Sequence, residues 1–260
     1  MNISVSMLRP AGAQAPRNPA THPELTETLR ASVATKSRAA IELLQATVTE
    51  LGDQGQVTFA NSFGAEDMVL TDLILGNKLP VEIFSLDTGR LPAETYKLMG
   101  DVEQHYHTRL KVYFPDASSV EHYVRTEGIN AFYHSLELRK TCCQIRKVEP
   151  LRRALAGKKA WVTGLRAAQS TTRTGLPLRE FDAGNGLDKL NPLSDWSENE
   201  VWAYIRLNNV PYNDLHDQFY PSIGCAPCTR AIALGEDIRA GRWWWEDPTA
   251  KECGLHVKKD

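Results

Sequence analysis

The chain has 260 residues, enough for one large domain or two small ones. Hydrophobic residues make up 42% and charged residues 24%, the balance of an ordinary globular protein. The 30 Lys+Arg against 32 Asp+Glu leave a net charge of −2, which argues against a general nucleic-acid binder, and no apolar run approaches the roughly 18 residues of a membrane span.

Residues 1–23 contain no acid and are rich in Ala, Pro, Ser and Arg. Such a stretch reads either as an organelle transit peptide or as a plain disordered tail. The tail reading is taken for residues 1–24, since no long Ser-rich amphipathic stretch follows. A cytoplasmic chain is the expectation. Leu25, Leu29, Val33, Lys36, Ala40, Leu43, Thr47 and Leu51 then fall at steps of three and four. They predict a helix ending at Gly52, with a break near Thr35. Val57–Ser62 reads as a strand, Ser62–Asp67 as a turn, and Met68–Leu75 as a helix. Val81–Leu86 is a second strand, followed by a helix from Pro92 to about Tyr106. Leu110–Phe114 is a third strand, and Asp116 caps a helix to Glu127. Gln144–Leu155 is helical, and Ala160–Thr163 is a fourth strand. Beyond Thr174 short turns precede a helix at Glu198–Leu207.

Strands alternating with helices predict an α/β fold: a mostly parallel twisted sheet with helices on both faces. Residues 25–224 form that domain, and residues 225–260 form a Cys-rich C-terminal extension. No internal repeat is present.

Open α/β sheets bind ligands at the carboxyl ends of their strands. Ser62-Phe-Gly-Ala-Glu-Asp67 lies there, with Gly64 to ease the turn and a helix N-terminus to face an anion. It lacks the Lys-Ser/Thr of a Walker A loop and the Rossmann glycines. It therefore fits either a phosphate loop or an ordinary turn. Asp87-Thr-Gly89 occupies the matching place after the second strand.

Five cysteines are too few for a secreted disulfide scaffold and point to metal or redox chemistry. Cys142 and Cys143 are adjacent, and Cys225 and Cys228 form a CxxC. Four thiolates suit a zinc ion or an iron–sulfur cluster. Adjacent cysteines point in different directions, which favours a cluster with spread iron corners over one small ion. Lys140, Arg146 and Lys147 beside the first pair could balance an anionic centre. Cys253, in a Gly- and Lys-containing tail near His256, reads either as a mobile nucleophile or as an inert surface thiol. Arg166, Arg173, Arg239 and Arg242 offer planar forks that match phosphate or sulfate. His105, His107 and His134 read as surface residues.

Six segments occur in the order seen in assimilatory sulfonucleotide reductases: Ser62–Asp67, Leu86-Asp-Thr-Gly89, Lys140-Thr-Cys-Cys143, Gly164-Leu-Arg166, Cys225-Ala-Pro-Cys228 and Glu252-Cys-Gly-Leu-His256. The chain resembles that family from about residue 30 to 258. The four cysteines resemble the bacterial branch that acts on adenosine 5′-phosphosulfate (APS) and carries one [4Fe-4S] cluster per chain. The first loop is similar to the degenerate pyrophosphate loop of the adenine nucleotide α-hydrolase-like fold. The resemblance implies Cys142, Cys143, Cys225 and Cys228 as cluster ligands and Cys253 as the catalytic nucleophile. It implies Lys147, Arg239, Arg242 and His256 as phosphosulfate contacts. Ser62, Gly64, Leu86, Gly164, Arg166 and Arg173 complete the implied substrate site. The chain stops at Asp260 without a thioredoxin-like domain, so an external thioredoxin or glutaredoxin is the expected donor. A homo-oligomer is expected too. Alternatives are a reductase of 3′-phosphoadenosine 5′-phosphosulfate (PAPS), a dual-specificity enzyme, or a zinc-stabilised nucleotide-binding protein. The degenerate loop disfavours an ATP pyrophosphatase.

Overall fold

The computed structural model describes residues 18–51, 55–169 and 175–247. The helices are α1 (Glu27–Leu51), α2 (Ala65–Gly76), α3 (Ala93–His105), α4 (Ala117–Glu127), α5 (Leu136–Cys143), α6 (Glu149–Leu155) and α7 (Glu198–Asn208). The strands are β1 (Val57–Ala60), β2 (Glu82–Leu86), β3 (Lys111–Tyr113), β4 (Ala160–Val162), β5 (Arg179–Asp182) and β6 (Leu187–Leu190). They form one sheet in the order β3-β2-β1-β4-β6-β5. Every pairing is parallel except β5 with β6. The expected α/β class is therefore what the chain adopts.

The sheet is covered on both faces because its central strands present apolar side chains to both sides. Phe59 and Val162 pack with α1, α2 and α7 in the larger core, around Leu44, Met68, Leu70 and Trp196. Phe84 and Trp161 pack with Leu151 and Leu155 of α6 in the smaller one. The chain leaves β1 toward β2 and β3, then returns to β4 on the other side of β1. That reversal opens a crevice at the carboxyl ends of β1 and β4, where such sheets bind ligands.

Several sequence expectations need correction. Helix α1 runs unbroken through Thr35, since Val33, Ala40 and Leu44 keep one buried stripe across it. Helix α2 begins at Ala65, inside the expected turn, with Gly64 at its N-cap. The expected helix at Gln144 is the continuation of α5 and reaches α6 through a π turn, Gln144–Val148. An unexpected hairpin, β5–β6, fills the region read as turns. Asn18–His22 is not a loose tail: Asn18 Nδ2 donates to His216 O at 3.1 Å, and Thr21 is buried and donates to Asp217 Oδ1 at 2.6 Å. Residues 1–17 lie outside the described residues.

Candidate functional site

A cavity of about 300 Å³ occupies the crevice, within the range of small-ligand sites. Eight sequence-predicted residues line it: Ser62, Gly64, Leu86, Lys147, Gly164, Arg166, Arg239 and Arg242. Arg173, Cys253 and His256 lie outside the described residues.

The loop after β1 has a built-in anion. Asn61 Oδ1 accepts from Phe63 N at 2.7 Å, which steadies Phe63 at a φ of 63°, an uncommon angle for a bulky residue. The chain then turns so that Ser62 N and Ser62 Oγ both donate to Asp67 Oδ2 at 2.6 Å. Gly164 N, from the end of β4, donates to the same carboxyl. Burial outweighs these bonds and raises Asp67 from 3.8 to about 6. Ser62 N, Ser62 Oγ and Gly164 N are thus spent on Asp67. Gly164 must be glycine, because a Cβ there would sit 2.2 Å from Asp67 Oδ1. Arg166 is buried, and its Nε donates to Glu66 Oε1 at 2.8 Å while Nη1 donates to Trp196 O at 3.3 Å. It stiffens the cavity wall through those two partners.

The cationic side comes from the π turn and the C-terminal extension. A π turn widens the helix by one residue and is frequent at functional sites. Here it carries Arg146 and Lys147 away from α5: Arg146 Nη1 donates to Thr88 O at 2.6 Å, and Lys147 lines the cavity. Arg242 lies over Gly224, where a Cβ would come within 2.3 Å of its Nη2. Its Nη1 donates to Ser222 Oγ at 3.3 Å and Ile223 O at 3.4 Å.

All four expected cysteine ligands line one adjoining small cavity, together with Phe132, Trp243 and several cations. Cys142 and Cys143 end α5, and Cys225 and Cys228 flank a single 3₁₀ turn, Ala226–Cys228. Cys143, Cys225 and Cys228 are buried. Burial pushes Cys142 up, opposed by Arg146. Burial, with the neighbouring Cys225, pushes Cys228 up to about 12, against Lys147 and Arg242. Thr88 Oγ1 lies 3.3 Å from Cys225 Sγ. Trp243 Nε1 is buried with no acceptor, as suits a pocket that receives an anionic sulfur group. Among the described residues, no three His, Cys, Asp or Glu side chains close on a single ion. Four cysteine sulfurs lining one cavity suit a zinc ion or a polynuclear iron–sulfur group.

Sequence reading missed Asn61, Asp67, Thr163, Ser222 and His216, which line the cavity, and Asn18 and Thr21 of the N-terminal segment. Asp67 was legible as the acid closing the quoted loop. His216 gave no signal, being one of several lone histidines. The three singled out as surface residues, His105, His107 and His134, are exposed.

Comparison with known proteins places the chain. The phosphoadenosine phosphosulfate reductase domain matches residues 56–231. A protein of Allochromatium vinosum named adenosine 5′-phosphosulfate reductase is 60% identical over 225 residues, covering 86% of this chain and 87% of that one. A Burkholderia cepacia protein of the same name is 53% identical over 220 residues, covering 84% and 88%. Among solved structures, the PAPS reductase of Candida auris in a phosphate complex superposes with a TM-score of 0.63. It is 29% identical and covers 77% of this chain and 96% of its own. With half of its length and more inside that domain, and with such relatives, the chain belongs to the phosphoadenosine phosphosulfate reductase family.

Proposed function

We propose that the chain is an oxidoreductase acting on sulfur, which reduces APS to sulfite and AMP with electrons from an external dithiol, thioredoxin or glutaredoxin. The observation that carries this reading is the shared wall: Lys147, Arg242 and Trp243 line both the strand-end cavity and the four-cysteine pocket. The names of the 53–60% identical relatives support the substrate.

The nucleoside end lies along Ser62, Gly64, Leu86 and Gly164, and the anionic end faces Lys147, Arg239 and Arg242. Those cations offset the charge that grows on the AMP oxygen as it leaves. The Cys253 thiolate attacks the sulfate sulfur. The S–O bond breaks, AMP departs with the electron pair, and a thiosulfonate remains on Cys253. A donor thiolate then attacks the Cys253 sulfur and expels sulfite, leaving a mixed disulfide. The second donor thiol resolves it and returns the Cys253 thiolate, so the dithiol supplies both electrons. His256 and Arg173 are proposed as further substrate contacts. Cys142, Cys143, Cys225 and Cys228 would hold one [4Fe-4S] cluster. When bound, it supplies a fixed charge distribution beside the anion, not the reducing electrons. No helix among the described residues is long and apolar enough to cross a membrane. A reducing cytoplasm suits the thiol chemistry.

The test is protein purified without oxygen. The expected result is broad visible charge-transfer absorption, about four irons per chain, and sulfite released from APS in a dithiol-dependent manner. Zinc in place of iron with no sulfite would overturn the reading, and a strong preference for PAPS would replace the substrate.

A further inference from the structure

Arg139 sits one turn before Cys143 on α5 and is 1% exposed. Its fork closes on Glu246, with Nε donating to Oε1 at 2.8 Å and Nη2 to Oε2 at 2.7 Å. The Glu246 side chain is 7% exposed, so this is a fully buried bidentate pair. The two residues are 107 positions apart. Buried ion pairs contribute little net stability, because desolvation consumes the Coulombic gain. Something else must explain a charge placed here.

The neighbour is Trp243. The Arg139 guanidinium lies 4.6 Å from its ring centre, and that of Arg242 lies 4.7 Å from it. Trp243 itself is 1% exposed. Its backbone N donates to Cys228 O at 3.2 Å, and Glu246 N donates to Trp243 O at 2.8 Å, closing a tight turn. Glu246, Trp243 and Arg139 are therefore one packed unit. Arg242, against the same indole, lines both the nucleotide cavity and the cysteine pocket. It also rests over the bare backbone of Gly224 and donates to Ser222 Oγ and Ile223 O.

We propose that Arg139 is a positioning residue for the anionic end of the nucleotide cavity. With Glu246 as its counter-charge it clamps Trp243, and through Trp243 it fixes where the Arg242 guanidinium lies. The proposal rests on the reading of the cavity as an adenine-nucleotide site. It concerns binding, so it is read without turnover.

The experiment is a double-mutant cycle on the full, anaerobically purified chain, with AMP affinity measured by titration calorimetry. The variants are Arg242→Ala, the pair Arg139→Met with Glu246→Met, and all three together. Replacing both partners of a buried ion pair by apolar side chains leaves no stranded charge, so the Met pair should unfold close to wild type, and its visible absorption is read alongside because Arg139 also hydrogen-bonds the Cys143 side chain. The Met pair should still bind AMP at least about tenfold more weakly, the scale of one displaced charged contact. In the triple variant the loss should be no larger than for Arg242→Ala alone, as expected of a residue that reaches AMP through Arg242. If the Met pair does not fold, Arg139→Lys keeps the charge without the fork and enters the same cycle. Wild-type AMP affinity in the Met pair would overturn the proposal, as would losses that simply add. Protein that binds AMP but releases no sulfite from APS would refute the reductase reading alone and leave this cycle readable.

Discussion

Gly164→Ala tests the loop geometry most sharply. The added methyl would lie 2.2 Å from Asp67 Oδ1, 3.1 Å from Glu66 Cβ and 3.3 Å from Asp67 Cγ. An ordinary carbon–oxygen contact is about 3.3–3.6 Å, so the overlap is roughly 1 Å. The carboxylate cannot swing aside, because Ser62 N and Oγ hold it at 2.6 Å. Glu66 is likewise held by Arg166 at 2.8 Å. The backbone must move, at an overpacking cost of about 1–3 kcal/mol. For a chain of this size each kcal/mol shifts Tm by about 2–4 °C, giving a fall of roughly 2–12 °C. The same shift displaces Ser62 and Gly64, so AMP affinity falls with it. Gly100→Ala is the control. That site lies in α3 with nothing within 4 Å of the new Cβ, so helix propensity should stabilise it by about 0.5–1 kcal/mol. Calorimetric melting and AMP titration of both variants decide the matter. A Gly164→Ala protein with wild-type Tm and wild-type AMP affinity would refute the reasoning.

Other expectations follow from the same contacts. Burial raises Asp67 from 3.8 to about 6, so the folded chain holds a proton that the unfolded chain has released. The associated stability, roughly 3 kcal/mol, is full below about pH 4 and is lost as pH rises through about 6. Asp67→Asn should flatten that part of the stability–pH curve; an unchanged slope would assign it to another group. Cys228→Ser should lose iron and visible absorption, whereas Cys253→Ser should keep both and release no sulfite. Iron-replete Cys228→Ser protein, or sulfite from Cys253→Ser, would contradict the assignments. Deleting residues 1–24 removes Asn18 and Thr21 from the cavity wall. AMP binding should weaken about three- to tenfold, the worth of one or two hydrogen bonds; unchanged affinity would make that segment a bystander.

Strands β1, β2 and β4 were legible because each is a mainly apolar run between turn signals. The β5–β6 hairpin was not, because its ladder is held by charge. Glu180 faces Lys189 across it at 3.1 Å, and Arg179 Nε donates to Asp188 Oδ2 at 3.0 Å. Polar strands carry no periodic apolar signal. Helix α5 hid for a related reason. Ser135 caps it by accepting from Leu138 N at 3.2 Å, but the Arg-Lys-Thr-Cys-Cys stretch reads as a ligand motif, not as a helix. The Asn18–His22 segment looked like tail because its order is borrowed. Its partners His216, Asp217 and Arg206 lie nearly two hundred residues away. The cysteines were legible as a set from their types and pairing. What sequence could not show was that Lys147, Arg242 and Trp243 join their pocket to the nucleotide cavity, since that wall is assembled from the π turn and the C-terminal extension.

The most direct measurement is the intact mass of the iron-loaded chain after mixing with APS in the absence of any thiol donor. The account predicts that each chain gains one SO₃ group, mapped to Cys253, as an equal amount of AMP is released, and that adding thioredoxin frees sulfite and restores the original mass. An unmodified chain that nonetheless releases sulfite once thioredoxin is added, or a modification on any other residue, would contradict it.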